Sequence, residues 1–389
     1  MGLSTALTLA GKGVSVAVLE AAEIGWGASG RNNGLVAPGL KRDPWEVRKI
    51  LGTESGDRLL RFAGDAPDQV FKLIDEHAID CDLNRGGWIQ AAHSKRALPL
   101  LERRIAAWQA LGAAVESIPA DTVSAELGTD FYAGASRYRG GGSINPLAYV
   151  FGLASAARVA GAAIYEQSPA VDIRREGGKW VVASVHGSVR GEQLVCCTNA
   201  YNDNIGELRG TVIPLRTAQV ASHPLPRDVA ASILPGAAAA SDTQRLLTSF
   251  RLTADHRLIM GGASATAGDH HEGLTQHLHK AARLRFPGID NIPWEFGWSG
   301  YLALIADHLP QIMRVDDKYY AGIGCNGRGI AMATATGRSI AELICGQDEK
   351  DCSVPIRGPK RVFGYSMRRP GVAAGVLYNR FLDTVERLT

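Results

Sequence analysis

The chain has 389 residues, more than a single hydrophobic core ordinarily supports, so two domains are expected. Hydrophobic residues make up 46% and charged residues 21%, and a formal charge of +3 without long runs argues against a polyanionic partner such as nucleic acid. No stretch reaches the about 18 uninterrupted apolar residues of a transmembrane helix and no basic-then-apolar leader opens the chain, while the six cysteines show no metal-binding spacing, so the expectation is a cytoplasmic protein with reduced thiols and no metal.

Residues 2–10 read as a helix of small side chains closed by Gly11-Lys12-Gly13, followed by a strand over 14–19 that ends on Glu20. The segment 25–34 is dense in glycine and serine and is predicted to be a loop. Leu59, Leu60, Phe62, Val70, Phe71 and Ile74 recur at helical spacing, which predicts amphipathic helices over 44–78 covering a neighbouring sheet. A strand over 86–92 and a helix over 97–111 come next. After the glycine turn at 140–143, Pro146 begins a helix over 146–160, where its missing N–H costs nothing. Strands are predicted at 163–166, 170–175, 179–184, 188–190 and 193–197, and the apolar run of the last suits a buried strand. A β-rich block covers 213–222 and 246–261, with a helix at 277–285. The chain then repeats a strand, glycine loop, helix order over 319–323, 324–330 and 331–345.

A dinucleotide fold needs a strand, a G-x-G-x-x-G turn, a helix whose N-terminus faces the pyrophosphate, and an acidic residue about 20 positions later for the ribose hydroxyls. Gly2 suits the third glycine and Glu20 the acid, whereas the first strand and first two glycines are not in the sequence. Without that strand the neighbouring strands would expose apolar faces, so a start codon placed too late is expected.

The stretch Gly25-Trp26-Gly27-Ala28-Ser29-Gly30-Arg31-Asn32-Asn33-Gly34 resembles the G-x-G-A-S-G-R-N-x-G segment of FAD-dependent oxidoreductases of the D-amino acid oxidase-like superfamily. The resemblance continues at 141–146, at 197–201, at 298–310 with W-S-G-Y and D-H-L-P, and at 322–329. In look it is nearest to the bacterial gamma-glutamylputrescine oxidoreductase-like and glycine and D-amino acid oxidase-like members. The resemblance implies an α/β fold, α+β overall, with a glutathione reductase-like Rossmann FAD domain built from 1–81, 141–212 and 296–350. A β-rich substrate domain would come from 82–140 and 213–295, and the segment 351–389 would pack on both.

By resemblance, Gly2, Glu20, Ser29, Gly30, Arg31, Asn32 and Asn33 lie along the FAD, Val171 meets the adenine through its backbone, and Thr198 and Asn199 turn beside the cofactor. Gly300 and the loop Gly324, Cys325, Asn326, Gly327, Arg328, Gly329 and Ile330 complete the set, with Arg328 standing where many members have histidine. FAD is expected to be non-covalent, because Ile312-Met313-Arg314 follows D-H-L-P where some sarcosine-oxidising relatives carry a cysteine. The implied reaction passes a hydride from the α-carbon of a small amine or amino acid to flavin N5, giving an imine that water hydrolyses, with oxygen or another acceptor taking the electrons. Leu258-Ile259-Met260 offers no oxygen-activating lysine, which points toward a dehydrogenase, and no dedicated base is required. Arg251, Trp298 and Tyr301 are candidates for the substrate pocket, Arg251 as holder of a substrate carboxylate. His270, His271, His277 and His279 read as solvated histidines. Two alternatives stay open: a flavin-free or inactive fragment of that family, and a nicotinamide-dependent dehydrogenase, which would not need the loops at 25–34 and 324–329.

Overall fold

A computed structural model describes residues 1–236, 238–264 and 271–388. Small side chains decide how its first helix sits: Gly2–Gly11 packs against Pro146–Val159 on one side and Gly329–Ile344 on the other. Ser4 Oγ donates to the Thr334 carbonyl at 2.7 Å and Thr5 Oγ1 to the Gly337 carbonyl at 2.9 Å, so both buried hydroxyls are satisfied by the facing backbone. A Cβ at Gly337 would stand 2.5 Å from the Met1 carbonyl oxygen and 3.0 Å from Ser4 Cβ, so this close approach requires glycine.

The helix leads into Ala17–Leu19, which pairs in parallel with Ala163–Tyr165. A separate four-stranded sheet sets Leu194–Cys196 parallel to Tyr319–Ile323, with Gln311–Asp316 antiparallel beside it and Ile356–Arg357 at the far edge. Asp172–Glu176, Lys179–Ser184 and Gly187–Gly191 form an antiparallel meander. The long helix Thr53–Glu76 buries Leu59, Leu60, Val70 and Phe71 at helical spacing and packs on Gly329–Ile344.

The largest sheet has eight strands, in spatial order Trp294–Leu304, Ile213–Ser222, Leu258–Ala263, Thr248–Leu252, Ala239–Asp242, Trp88–Ala91, Ala135–Tyr138 and Val115–Ile118. Its inner face contributes Ile89, Val220, Phe250 and Met260 to a second core, closed by Leu278 and Ala282 of the helix His271–Arg285. Beneath that helix Arg285 bonds Asp242 at 2.7 Å and the Tyr132 hydroxyl at 2.6 Å, both with buried partners. The Asp242 carboxylate also accepts from Thr248 N at 3.0 Å and Gln244 N at 3.2 Å.

Several elements differ from the sequence reading. Within the predicted loop, Ala28–Arg31 is a turn of helix, because Asn32 Nδ2 donates to the carbonyls of Ala28 at 3.1 Å and Ser29 at 2.7 Å and closes its end. The helix expected at 277–285 begins at His271. Val115–Ile118, Ala135–Tyr138 and Ala239–Asp242 are strands that carried no readable alternation. Trp294–Leu304 pairs along its length with Ile213–Ser222, so 296–304 belongs to the eight-stranded sheet and not to the FAD-side segment that was drawn from 296. His279 stacks on Trp294 at 4.8 Å, a packing role in place of solvation, while His270 lies outside the described residues. Among the described residues no helix is long and apolar enough to cross a membrane.

Candidate cofactor and substrate site

The separate sheets and the eight-stranded sheet enclose one cavity of about 1980 Å³. Gly2 and Glu20 line it from the first helix and strand, Ser29, Arg31, Asn32 and Asn33 from the short helical turn, and Thr198 and Asn199 from the end of Leu194–Cys196. Gly300 and the run Cys325, Asn326, Gly327, Arg328, Gly329 and Ile330 complete the wall. These segments are far apart in sequence and are tied together by hydrogen bonds. Asn199, at φ 48°, accepts from Gly324 N at 3.0 Å, and Asn326 accepts from Ile305 N at 3.2 Å while its amide donates to the Gly324 carbonyl. Arg31 donates to the carbonyls of Trp26 at 2.6 Å and Ser299 at 3.1 Å, and Trp298 Nε1 donates to the Arg31 carbonyl at 2.9 Å.

The residues present fit FAD. A pyrophosphate needs N–H donors, a ribose diol needs an acceptor, and the flat groups need walls without intruding side chains. The helices Gly2–Gly11 and Gly329–Ile344 both open onto the cavity by their N-termini, where N–H groups lack intrahelical partners. Glu20 Oε1 accepts from Ala22 N at 3.0 Å, which leaves its Oε2 without a partner among the described residues. A Cβ added at Gly327 or Gly329 would meet nothing within 4 Å, so the loop presents bare backbone there.

Not every expected residue reaches the cavity. Gly30 folds back, its Cβ position lying 2.2 Å from the Gly25 carbonyl oxygen, and Gly324, at φ 79°, is packed on Ile305. Val171 is exposed and donates its N–H to the Ala183 carbonyl at 2.8 Å, while the adjacent Ala170 lines the wall. Arg251 is buried outside the cavity, with Nε donating to the Asn33 carbonyl at 2.6 Å and Nη1 to the Leu252 carbonyl at 3.3 Å. Burial pushes its guanidinium down to about 10. Arg251 therefore props the short-helix loop and is not placed to hold a substrate carboxylate. Trp298 likewise braces Arg31, whereas Tyr301 faces the cavity, its N–H donating to the Tyr201 hydroxyl at 3.2 Å and its ring edge-on to Tyr201 at 5.9 Å.

Other cavity residues escaped the sequence reading. Lys41, Arg42 and Asp43 follow the buried run ending at Leu40, and the L-K-R-D-P stretch directly after the glycine segment was the available signal. Lys41 is exposed toward the cavity, and partial desolvation by the surrounding wall, then Arg328 and Arg104, hold its ammonium below the ordinary lysine value. Arg104 is paired in bidentate fashion with Asp43 at 2.5 and 3.2 Å. Arg328 turns toward the eight-stranded sheet, its guanidinium 4.3 Å over the Trp88 ring, and burial lowers it to about 10. The His308 imidazole is held below its ordinary value by burial, then by Arg42. The C-terminal helix Arg368–Leu388 contributes Val376 and Asn379 to the wall and is held to the eight-stranded sheet side by Arg245, which bonds Asp383 at 2.9 Å and Glu386 at 2.7 Å. His93, Asp383 and Glu386 bring potential metal ligands together, but the Arg245 guanidinium already sits on both carboxylates.

Comparison with known proteins agrees with this geometry. The family described as DAO, FAD dependent oxidoreductase, matches residues 1–343. The chain is 31% identical to gamma-glutamylputrescine oxidoreductase of Escherichia coli over 98% of its length and 90% of that protein. It is 30% identical to the probable oxidoreductase OrdL of Haemophilus influenzae, over 98% of this chain and 89% of the relative. The crystal structure of glycine oxidase from Geobacillus kaustophilus superposes with a TM-score of 0.76 at 21% identity, covering 93% of this chain and 96% of that one.

Proposed function

This chain belongs to the DAO family of FAD-dependent oxidoreductases, and from that premise we propose that it oxidises the CH–NH bond of an amine or amino acid to an imine, which water then hydrolyses. The observation that carries this reading is the convergence of Glu20, the 29–33 turn, Thr198-Asn199 and the 325–330 loop on one cavity whose opposite wall is the eight-stranded sheet. Glu20 would take the ribose hydroxyls, the helix N-termini at Gly2 and Gly329 the anionic groups, and the bare backbone at Gly327 and Gly329 the flat ring system. FAD held there would supply the two-electron acceptor for the hydride of the substrate α-carbon.

The chain's own part is positioning and shielding. Tyr301 and Trp88 offer aromatic walls, and Val376 with Asn379 of the C-terminal helix covers the substrate side against water. The electrons then leave to oxygen or another acceptor.

The protein loaded with FAD is expected to show flavin absorbance that bleaches anaerobically on addition of an amine from a panel of γ-glutamylputrescine, glycine and D-amino acids. A preparation that takes up FAD and stays oxidised with every member of the panel would overturn the reading.

A further inference from the structure

The last helix, Arg368–Leu388, is apolar on two opposite faces. Val372, Val376, Asn379 and Asp383 recur at spacings of three and four and turn inward, where the first three line the cavity and Asp383 accepts from Arg245 N and Leu246 N. Ala374, Tyr378, Phe381 and Val385 repeat that spacing half a turn away and face outward. Leu377 joins them, and Leu377, Tyr378 and Phe381 are 61%, 63% and 64% exposed. Just ahead of the helix Phe363 is fully exposed and Met367 mostly so. Six of the nineteen exposed large hydrophobic side chains among the described residues therefore lie within 363–385, which is clustering and not scatter. The helix is pinned at both ends, by Tyr365 and Arg368 on Asp203 and by Arg245 on Asp383 and Glu386, so its outward stripe is a fixed surface.

Charge and area decide what covers that stripe. Seven Lys and Arg against two Asp and Glu give 356–389 a formal charge of +5, so the rest of the chain, within a total of +3, is at −2. Both carboxylates of the segment are held by Arg245, whereas Lys360 and Arg361, close to Phe363 in sequence, are exposed and unpaired among the described residues. Arg209, on the loop that carries Asp203, is exposed as well, against the exposed carboxylate of Glu207. A second copy of the chain would set like charge against like charge. The stripe, about 30 Å long and about 10 Å wide, would also bury only about 300 Å² where a stable dimer needs about 800 Å² from each partner. A bilayer surface rich in anionic lipid meets neither objection, because its headgroups attract the flanking cations while its acyl boundary takes the apolar side chains.

We propose that Arg368–Leu388 is a bilayer-docking helix. Leu377, Tyr378, Phe381 and Val385 lie in the interface of an anionic membrane, with Lys360 and Arg361 on the headgroups. Because Val376 and Asn379 line the cavity from the opposite face, docking holds the substrate side about 10 Å, one helix diameter, from the lipid. Docking does not depend on which compound is oxidised.

The FAD-loaded full chain is sedimented with phosphatidylcholine vesicles and with vesicles in which about one third of the lipid is phosphatidylglycerol. Wild type is expected to bind the anionic vesicles and to be released by salt. Leu377→Gln/Phe381→Gln is expected to bind them at least about 10-fold more weakly, with Tm and FAD affinity unchanged. Lys360→Gln/Arg361→Gln is expected to lose about fivefold per charge on the anionic vesicles and nothing on the neutral ones. Light scattering of the lipid-free protein separates the competing occupant: a wild-type dimer that the Leu377→Gln/Phe381→Gln variant turns into a monomer makes the stripe an interface between copies and overturns the proposal. It is also overturned if neither vesicle binds, if the stripe variant binds as wild type does, or if neutral vesicles bind as well as anionic ones.

Discussion

At the scale of single residues, the pairing of Arg285 with Asp242 shows how a buried charge is made tolerable. Its side chains are 2% and 0% exposed, and every oxygen of the carboxylate is used: Oδ2 by Arg285 at 2.7 Å, Oδ1 by two backbone N–H groups. Replacing Arg285 by methionine keeps the volume but strands the carboxylate, so Arg285→Met is expected to lose about 3–5 kcal/mol of stability. The measurement is the denaturant midpoint of the FAD-loaded protein, and an unchanged midpoint would show that Asp242 finds another partner. Residue types around the cavity were legible in the sequence where backbone chemistry decides them, as with Glu20 at a strand end and the bare glycines at 327 and 329. The direction of long side chains was not. Arg251 and Arg328 carry the same charge on strands and loops that converge, yet one is spent on the Asn33 carbonyl and the other lies over Trp88. Nothing local to either position distinguishes a guanidinium that faces a loop from one that faces a cavity.

Elements were readable in proportion to their length and periodicity. Thr53–Glu76 and Gly329–Ile344 repeat their apolar or small positions over several turns, and that signal accumulates. Val115–Ile118, Ala135–Tyr138 and Ala239–Asp242 are four residues each, and their strand state is settled by ladder partners drawn from distant sequence. The small-residue helix is also where a single methyl group matters. With a Cβ at 337 falling 2.5 Å from the Met1 carbonyl oxygen, Gly337→Val must push the first helix away from its neighbour. The expected cost is about 1–3 kcal/mol, read as a lower Tm with a parallel rise in the Kd for FAD because the displaced helix carries Gly2. A lower Tm with unchanged FAD affinity would mean that the first helix shifts without disturbing the cavity.

At the scale of the whole molecule, four sheets that do not pair with one another share a single cavity. A ligand filling it touches all of them, so binding adds directly to folding stability. With FAD at about 100 times its Kd the gain is about 2.7 kcal/mol, and Tm should climb further with each increment of cofactor. Calorimetric scans at rising FAD concentration measure this; a Tm independent of FAD would mean that the folded chain does not bind it. The pairing of Trp294–Leu304 with Ile213–Ser222 was not legible in the sequence, since a strand declares its sheet only through the partner it meets.

The cross-links between the short-helix loop and the eight-stranded sheet carry a practical consequence. Asn33 bonds Ser249, Arg251 bonds the Asn33 carbonyl, Arg31 bonds the Ser299 carbonyl, and Trp298 bonds Arg31 in return. Each of these joins a wall that would choose the amine to a wall that would grip the nucleotide. An engineer who reshapes the first to accept a new compound therefore retunes the second without touching it, and library screens at these positions would select on two properties at once.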